Sequence, residues 1–113
     1  MEIVTEADVE AVEAVPGVFL TAEAAGEQTS VQGFTVEPGA EIPEHRHDHE
    51  QAGVVTAGTL TFLIDGEERP VSAGESYVIP GDEPHAAVNR GDVPVEGYDV
   101  FSPPRLDPDW MPE

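Results

Sequence analysis

The chain concentrates its chemistry in two short stretches. In HRHDHEQ, His45, His47 and His49 alternate with charged residues and are followed by Gln51. The remaining histidine is His85. On an extended backbone His45 and His47 point to the same side, and a histidine on a neighbouring strand can face them. A lone buried histidine is more often structural, but three imidazoles at these positions argue for a divalent transition metal. Zn, Fe, Ni, Mn and Cu all suit such a donor set, and the residues do not choose among them. The chain has no cysteine, so a thiolate ligand, a disulfide and a cysteine nucleophile are excluded. His49 reads as a rim residue because the chain must turn between His47 and Gln51. Its alternative role is a proton shuttle at the site's mouth. Arg46, Asp48 and Glu50 read as solvent-facing or as side chains that support the ligands from behind.

The second stretch is EGYDVFSPPR. Alternation puts Asp99 and Phe101 on one face of a strand. Arg105, one of only four cationic residues, follows Pro103 and Pro104, which stiffen its approach. Together the three offer a carboxylate base, an apolar wall and a clamp for a carboxylate. Their ordinary alternatives are a surface acid, a core aromatic and an intramolecular ion pair.

Short β-rich elements must position these residues. Eleven glycines and eleven prolines separate runs such as SVQGFTV, AGVVTA, TLTFLI and ESYVIP, a pattern that predicts an all-β sandwich or barrel. Asp65-Gly66 suits a type I′ turn joining Leu60–Ile64 to Glu67–Ser72, with Leu60, Phe62 and Ile64 at one parity. Residues 5–15 fit two readings. Thr5 and Asp8 have capping-box spacing, and Val9, Val12 and Val15 recur every third residue, whereas the β-branched content favours a strand. The expected organisation is a single domain over 1–113: an N-terminal strand or arm at 1–16, a barrel at 17–102 and an extended, proline-rich tail at 103–113.

Net charge is −20, with 24 acidic residues and no lysine. Such a chain repels phosphate backbones, so nucleic acid is excluded as a partner. The acids are spread along the sequence, which suits a solvated coat in concentrated salt, where screening shortens to roughly 3 Å at 1 M. No apolar run is long enough to span a membrane and the first residues lack a signal-peptide pattern. The expectation is therefore a cytoplasmic protein.

The spacing of Gly39, His45, His47, Gln51 and Gly58, and then of Gly74, Pro80, His85 and Asn89, resembles the paired motifs of the cupin superfamily, G-x5-H-x-H-x3-E-x6-G and G-x5-P-x-G-x2-H-x3-N. The resemblance covers residues 39–89 closely. It implies a double-stranded β-helix, or jelly roll, with one metal held by His45, His47, Gln51 and His85. Asp82 replaces the motif's second-half glycine in a turn where Asp tolerates a left-handed backbone. Gln51 replaces the usual glutamate, which leaves a divalent site more positive and a stronger Lewis acid, and removes a carboxylate base.

With its HEQ and DVFSPPR segments the chain is similar to the small cupins of the pectin-degradation family, which linearise an unsaturated galacturonate. That similarity implies roles for Asp99, Phe101 and Arg105 in catalysis, a small carboxylated substrate, and a homodimer formed through Met1–Val15. The competing expectations are a metal-dependent dioxygenase or lyase, and a cupin that binds a small ligand without turning it over.

Overall fold

The structure is a computed structural model and describes residues 1–106 and Pro108. Its strands are β1 (Val12–Val15), β2 (Val18–Ala25), β3 (Ser30–Val36), β4 (Glu41–His45), β5 (Glu50–Ala57), β6 (Thr59–Ile64), β7 (Glu67–Ser72), β8 (Ser76–Ile79), β9 (His85–Val88) and β10 (Val95–Ser102). They form two sheets, one ordered β1-β2-β3-β10-β5-β8 and the other β4-β9-β6-β7. Every pairing is antiparallel. This is the expected all-β jelly roll. Among the described residues, no helix is long and apolar enough to cross a membrane.

Alternation builds the interior. Along β10, Val95, Gly97, Asp99 and Phe101 are buried, while Glu96, Val100 and Ser102 are exposed. The inward faces of the two sheets enclose a core that includes Val18, Phe34, Val36, Val55, Leu60, Phe62 and Ile79. The β6–β7 hairpin turns where expected. Asp65 and Gly66 both have positive φ, 54° and 77°, as a type I′ turn requires, and Ile64 pairs with Glu67. Asp82 likewise takes φ 65°.

Two motif residues prove structural. Gly58 has φ 76°, and a Cβ there would lie 2.8 Å from the carbonyl oxygen of Pro94. Asn89 is buried; its amide donates to the carbonyls of Val36 (3.0 Å) and Val93 (2.8 Å) and its oxygen accepts from the Gly91 N–H (2.9 Å). Asn89→Ala would leave these groups unpaired, each at about 1–3 kcal/mol. It is expected to destabilise the fold by about 2–4 kcal/mol in a denaturant titration.

At the N-terminus each reading holds for part of the segment. Glu6–Asp8 makes one 3₁₀ turn, and Thr5 makes no side-chain cap. Val12–Val15 then forms β1, paired with β2 of the same chain. The β-branched residues prevail where a partner strand is available. The Tyr98 hydroxyl donates to Glu6 Oε2 at 2.8 Å, fastening the 3₁₀ turn to the outer face of β10. Residues 103–106 form no regular element. Of the tail expected at 103–113, residues 107 and 109–113 lie outside the described residues.

Candidate metal centre and active site

Strand register brings the histidines together. His45 on β4 pairs directly with His85 on β9, and their ring centroids are 4.4 Å apart. His47, just beyond β4, lies 5.7 Å from His45 and 5.3 Å from His85. One ligand nitrogen from each of the three lies within 4.8 Å of the others.

The hydrogen bonds aim these nitrogens. Nδ1 of His45 lies 3.0 Å from the Pro43 carbonyl, Nδ1 of His47 lies 3.1 Å from that of His49, and Nδ1 of His85 lies 2.8 Å from that of Glu83. A carbonyl only accepts, so each contact places the ring proton on Nδ1 and leaves an Nε2 lone pair for the centre. Nε2 of His85 is buried and has no hydrogen-bond partner. Nε2 of His47 faces Gln51 Oε1 at 3.1 Å. With the proton on Nδ1 these are two acceptors pointing at the same place, an arrangement a cation resolves. Burial lowers the pKa of both His47 and His85, and the positive charge of Arg105 adds to the effect. Both rings are therefore neutral near pH 7, as metal binding requires. The donor set fits a divalent transition metal.

Gln51 is buried on β5, opposite Phe101 of β10. One step further in, Asp99 lies opposite Gln32 on one side and Gly53 on the other. Asp99 is buried, and its pKa is raised to about 6 by that burial, against the opposing pull of Tyr77, Gln51 and Arg105. The Tyr77 hydroxyl donates to Asp99 Oδ1 at 2.5 Å. Burial, with the Asp99 charge added, pushes the Tyr77 pKa up, so the phenol keeps its proton.

Tyr77 is the residue that sequence reasoning missed. It sits on β8, two strands from Asp99, and reaches across because Gly53 lies between them. A Cβ at position 53 would come within 2.3 Å of both Asp99 Oδ1 and the Tyr77 hydroxyl. A glycine in the otherwise apolar run of β5 was the available signal, since glycine inside a strand often marks a close approach. Gly53→Ala is therefore expected to part Tyr77 from Asp99. A fold-wide loss of at least about 2 kcal/mol should follow, read as a lowered melting temperature.

Arg105 is partly buried. Its backbone N–H donates to Ser30 Oγ at 2.8 Å, and its guanidinium carbon lies 5.3 Å from the Phe101 ring centroid. Asp99, Phe101 and Arg105 thus line one cavity of about 390 Å³ together with His45, Gln51 and His85. His49 is placed otherwise. It packs behind His47 and against Phe101, at centroid distances of 5.5 and 6.0 Å, with Nδ1 3.4 Å from Asp48 Oδ1. It supplies none of the converging nitrogens.

A jelly roll carrying converging histidines in its interior is the architecture of a cupin. The family model described as "Cupin domain" matches residues 33–101, and the chain belongs to that family. Among curated proteins it is similar to the pectin degradation protein KdgF of Dickeya dadantii, with 38% identity over 72 residues, covering 61% of this chain and 63% of that protein. It is also similar to the H2HPP isomerase of Bacillus subtilis, with 33% identity over 67 residues. That match covers 59% of this chain and only 28% of the isomerase's length. Among solved structures, KdgF from Halomonas sp. superposes with a TM-score of 0.86 at 26% identity, covering 95% of this chain and 97% of that one.

Proposed function

We propose that this cupin is a metal-dependent enzyme of redox-neutral chemistry, which opens or tautomerises a small carboxylated oxo compound, an unsaturated uronate or a related keto acid. The observation that carries the reading is a cluster of three aimed imidazoles, His45, His47 and His85, two of which line one cavity with Gln51, the buried carboxylate Asp99 and the cation Arg105. Similarity to a pectin degradation protein and to an isomerase supports it.

In this reading His45, His47, Gln51 and His85 hold the ion, which when bound would polarise a substrate oxygen as a Lewis acid. Arg105 grips the substrate carboxylate through its planar fork. Asp99 takes a proton from the substrate and returns it at another position. Tyr77 holds Oδ1 of Asp99, leaving Oδ2 as the atom that exchanges the proton. Phe101 walls the site beside Arg105 and His47 and limits water at the reacting atoms.

The test is a screen of unsaturated uronates and keto acids, followed by NMR with and without oxygen. The expected product is an isomer of the substrate, formed at the same rate in both atmospheres and lost on chelation. Oxygen consumption matching turnover would move the site to the dioxygenase class.

Two properties of the whole molecule belong to the same proposal. With a charge of −20 on 113 residues, self-repulsion opposes the compact state until it is screened. The melting temperature is expected to rise with KCl well beyond 1 M. Equal values in dilute and concentrated salt would contradict a salt-adapted origin. The protein is also expected to pair as a homodimer through its N-terminal segment, where Met1 and Ile3 are exposed. Light scattering in high salt should give twice the 12.0 kDa chain mass; the single-chain mass would refute pairing.

A further inference from the structure

The cavity changes character with depth. At its mouth lie Arg105, Phe101, His45, His85 and Gln51, with the exposed carboxylate of Glu44 beside His45 on β4. The next layer differs between the walls. On the six-stranded sheet, Asp99 stands between Gln32 and Gly53, with the Tyr77 hydroxyl reaching over Gly53. On the facing sheet, Ile42, Ala87 and Phe62 lie side by side in register, and the Phe62 ring is 4.7 Å from that of Tyr77. Deeper still the lining is Leu20 and Phe34, which pair across β2 and β3, together with Leu60 and Val18. Every polar side chain among the cavity's described lining residues belongs to the mouth or to the Asp99 layer. The strands that carry this deeper lining, β2, β3 and β6, are each paired on both sides.

This gradient restricts what can fill the cavity. A ring bearing several hydroxyls can satisfy them against Gln32, Asp99 and Tyr77, but any hydroxyl turned inward meets only hydrocarbon and loses its hydrogen bonds to water. An apolar ring gains from the same surface. The volume, about 390 Å³, falls at the lower end of the roughly 300–1,000 Å³ that accommodates compact organic ligands.

We propose that the substrate is an oxo acid built on a carbocyclic or aromatic ring rather than on a polyhydroxylated sugar. Its carboxylate and oxo groups occupy the mouth and the Asp99 layer, and its ring is seated against Phe62, Leu20, Phe34 and Leu60. The placement of the polar end rests on the function proposed above; the ring preference rests on the inner wall alone.

The test is calorimetric binding of three probes to the protein loaded with Zn(II) in concentrated KCl. Pyruvate supplies the oxo acid without a ring, phenylpyruvate adds an aromatic ring, and galacturonate supplies a carboxylate on a hydroxylated one. Phenylpyruvate is expected to bind at least about tenfold more tightly than either of the others. Intermolecular NOEs should connect its ring protons to the methyl groups of Leu20 and Leu60. Leu20→Thr should remove most of the ring preference while leaving pyruvate affinity unchanged. Should that variant fail to fold, the NOEs in the unaltered protein decide the matter. Galacturonate binding as well as phenylpyruvate, phenylpyruvate binding no better than pyruvate, or NOEs confined to Phe101 and the mouth would each overturn the inference. These outcomes are separate from failure of the catalytic reading, which would appear as a ring preference with no isomerisation of any oxo acid.

Discussion

His85→Ala is expected to lose the metal and the stability that goes with it. Nε2 of His85 is the buried nitrogen without a partner among the three histidines. Its ring is fixed by the Glu83 carbonyl and by pairing of β9 with β4. A ligand present at a hundred times its dissociation constant stabilises the folded state by about 2.7 kcal/mol. For a domain of this size that corresponds to a rise in melting temperature of about 10–20 °C. The unaltered protein should show this rise when a divalent transition metal is added after chelation, and His85→Ala should not. His45→Ala should lose metal in the same way, although its ring is the most exposed of the three. A metal-dependent rise that survived in His85→Ala would remove this residue from the ligand set.

The second large effect is on turnover. Asp99→Asn removes a proton acceptor and little volume. It is expected to lower kcat by about 10²–10⁴ while leaving metal content unchanged. Arg105→Lys should instead raise KM by about tenfold or more, since an ammonium cannot reproduce the two-point grip of a guanidinium on a carboxylate. Gln51→Glu is the discriminating change. It keeps a ligand oxygen but makes the metal site less positive. It also sets a second carboxylate beside the buried Asp99, which like-charge repulsion opposes. It should retain metal and slow the reaction. A neutral or faster Gln51→Glu would show that glutamine is not there for polarising power.

Part of this site was legible in the sequence because strands have period two: Asp99 and Phe101 share a parity on β10. His45 and His47, which straddle the end of β4, were legible through their motif spacing. The turn at Asp65-Gly66 was legible because few residues accept positive φ at two successive positions. The Tyr77–Asp99 hydrogen bond was not legible. It joins residues 22 apart in sequence through the order of β8, β5 and β10, which no local pattern specifies. His49 shares its parity with His45 and His47 in number only. The chain leaves β4 after His45, and β5 does not begin until Glu50, so alternation no longer governs where its ring points. The split at residues 5–15 has a related cause: capping chemistry and β-branching compete there, and the partner strand that decides the outcome is supplied by β2. The apolar depth of the cavity likewise comes from side chains on several strands, whose convergence depends on register.

The reaction class rests on one atom-level claim, that Asp99 moves a proton between positions of a carboxylated oxo compound without net oxidation. The most direct measurement is turnover of a reactive uronate or keto acid in D₂O under an inert atmosphere, followed by mass spectrometry and NMR of the product. The expected product is an isomer carrying solvent deuterium at one carbon, formed without oxygen and almost abolished in Asp99→Asn protein that retains its metal. A product containing an added oxygen atom, or an isomer formed at an unchanged rate by Asp99→Asn, would contradict it.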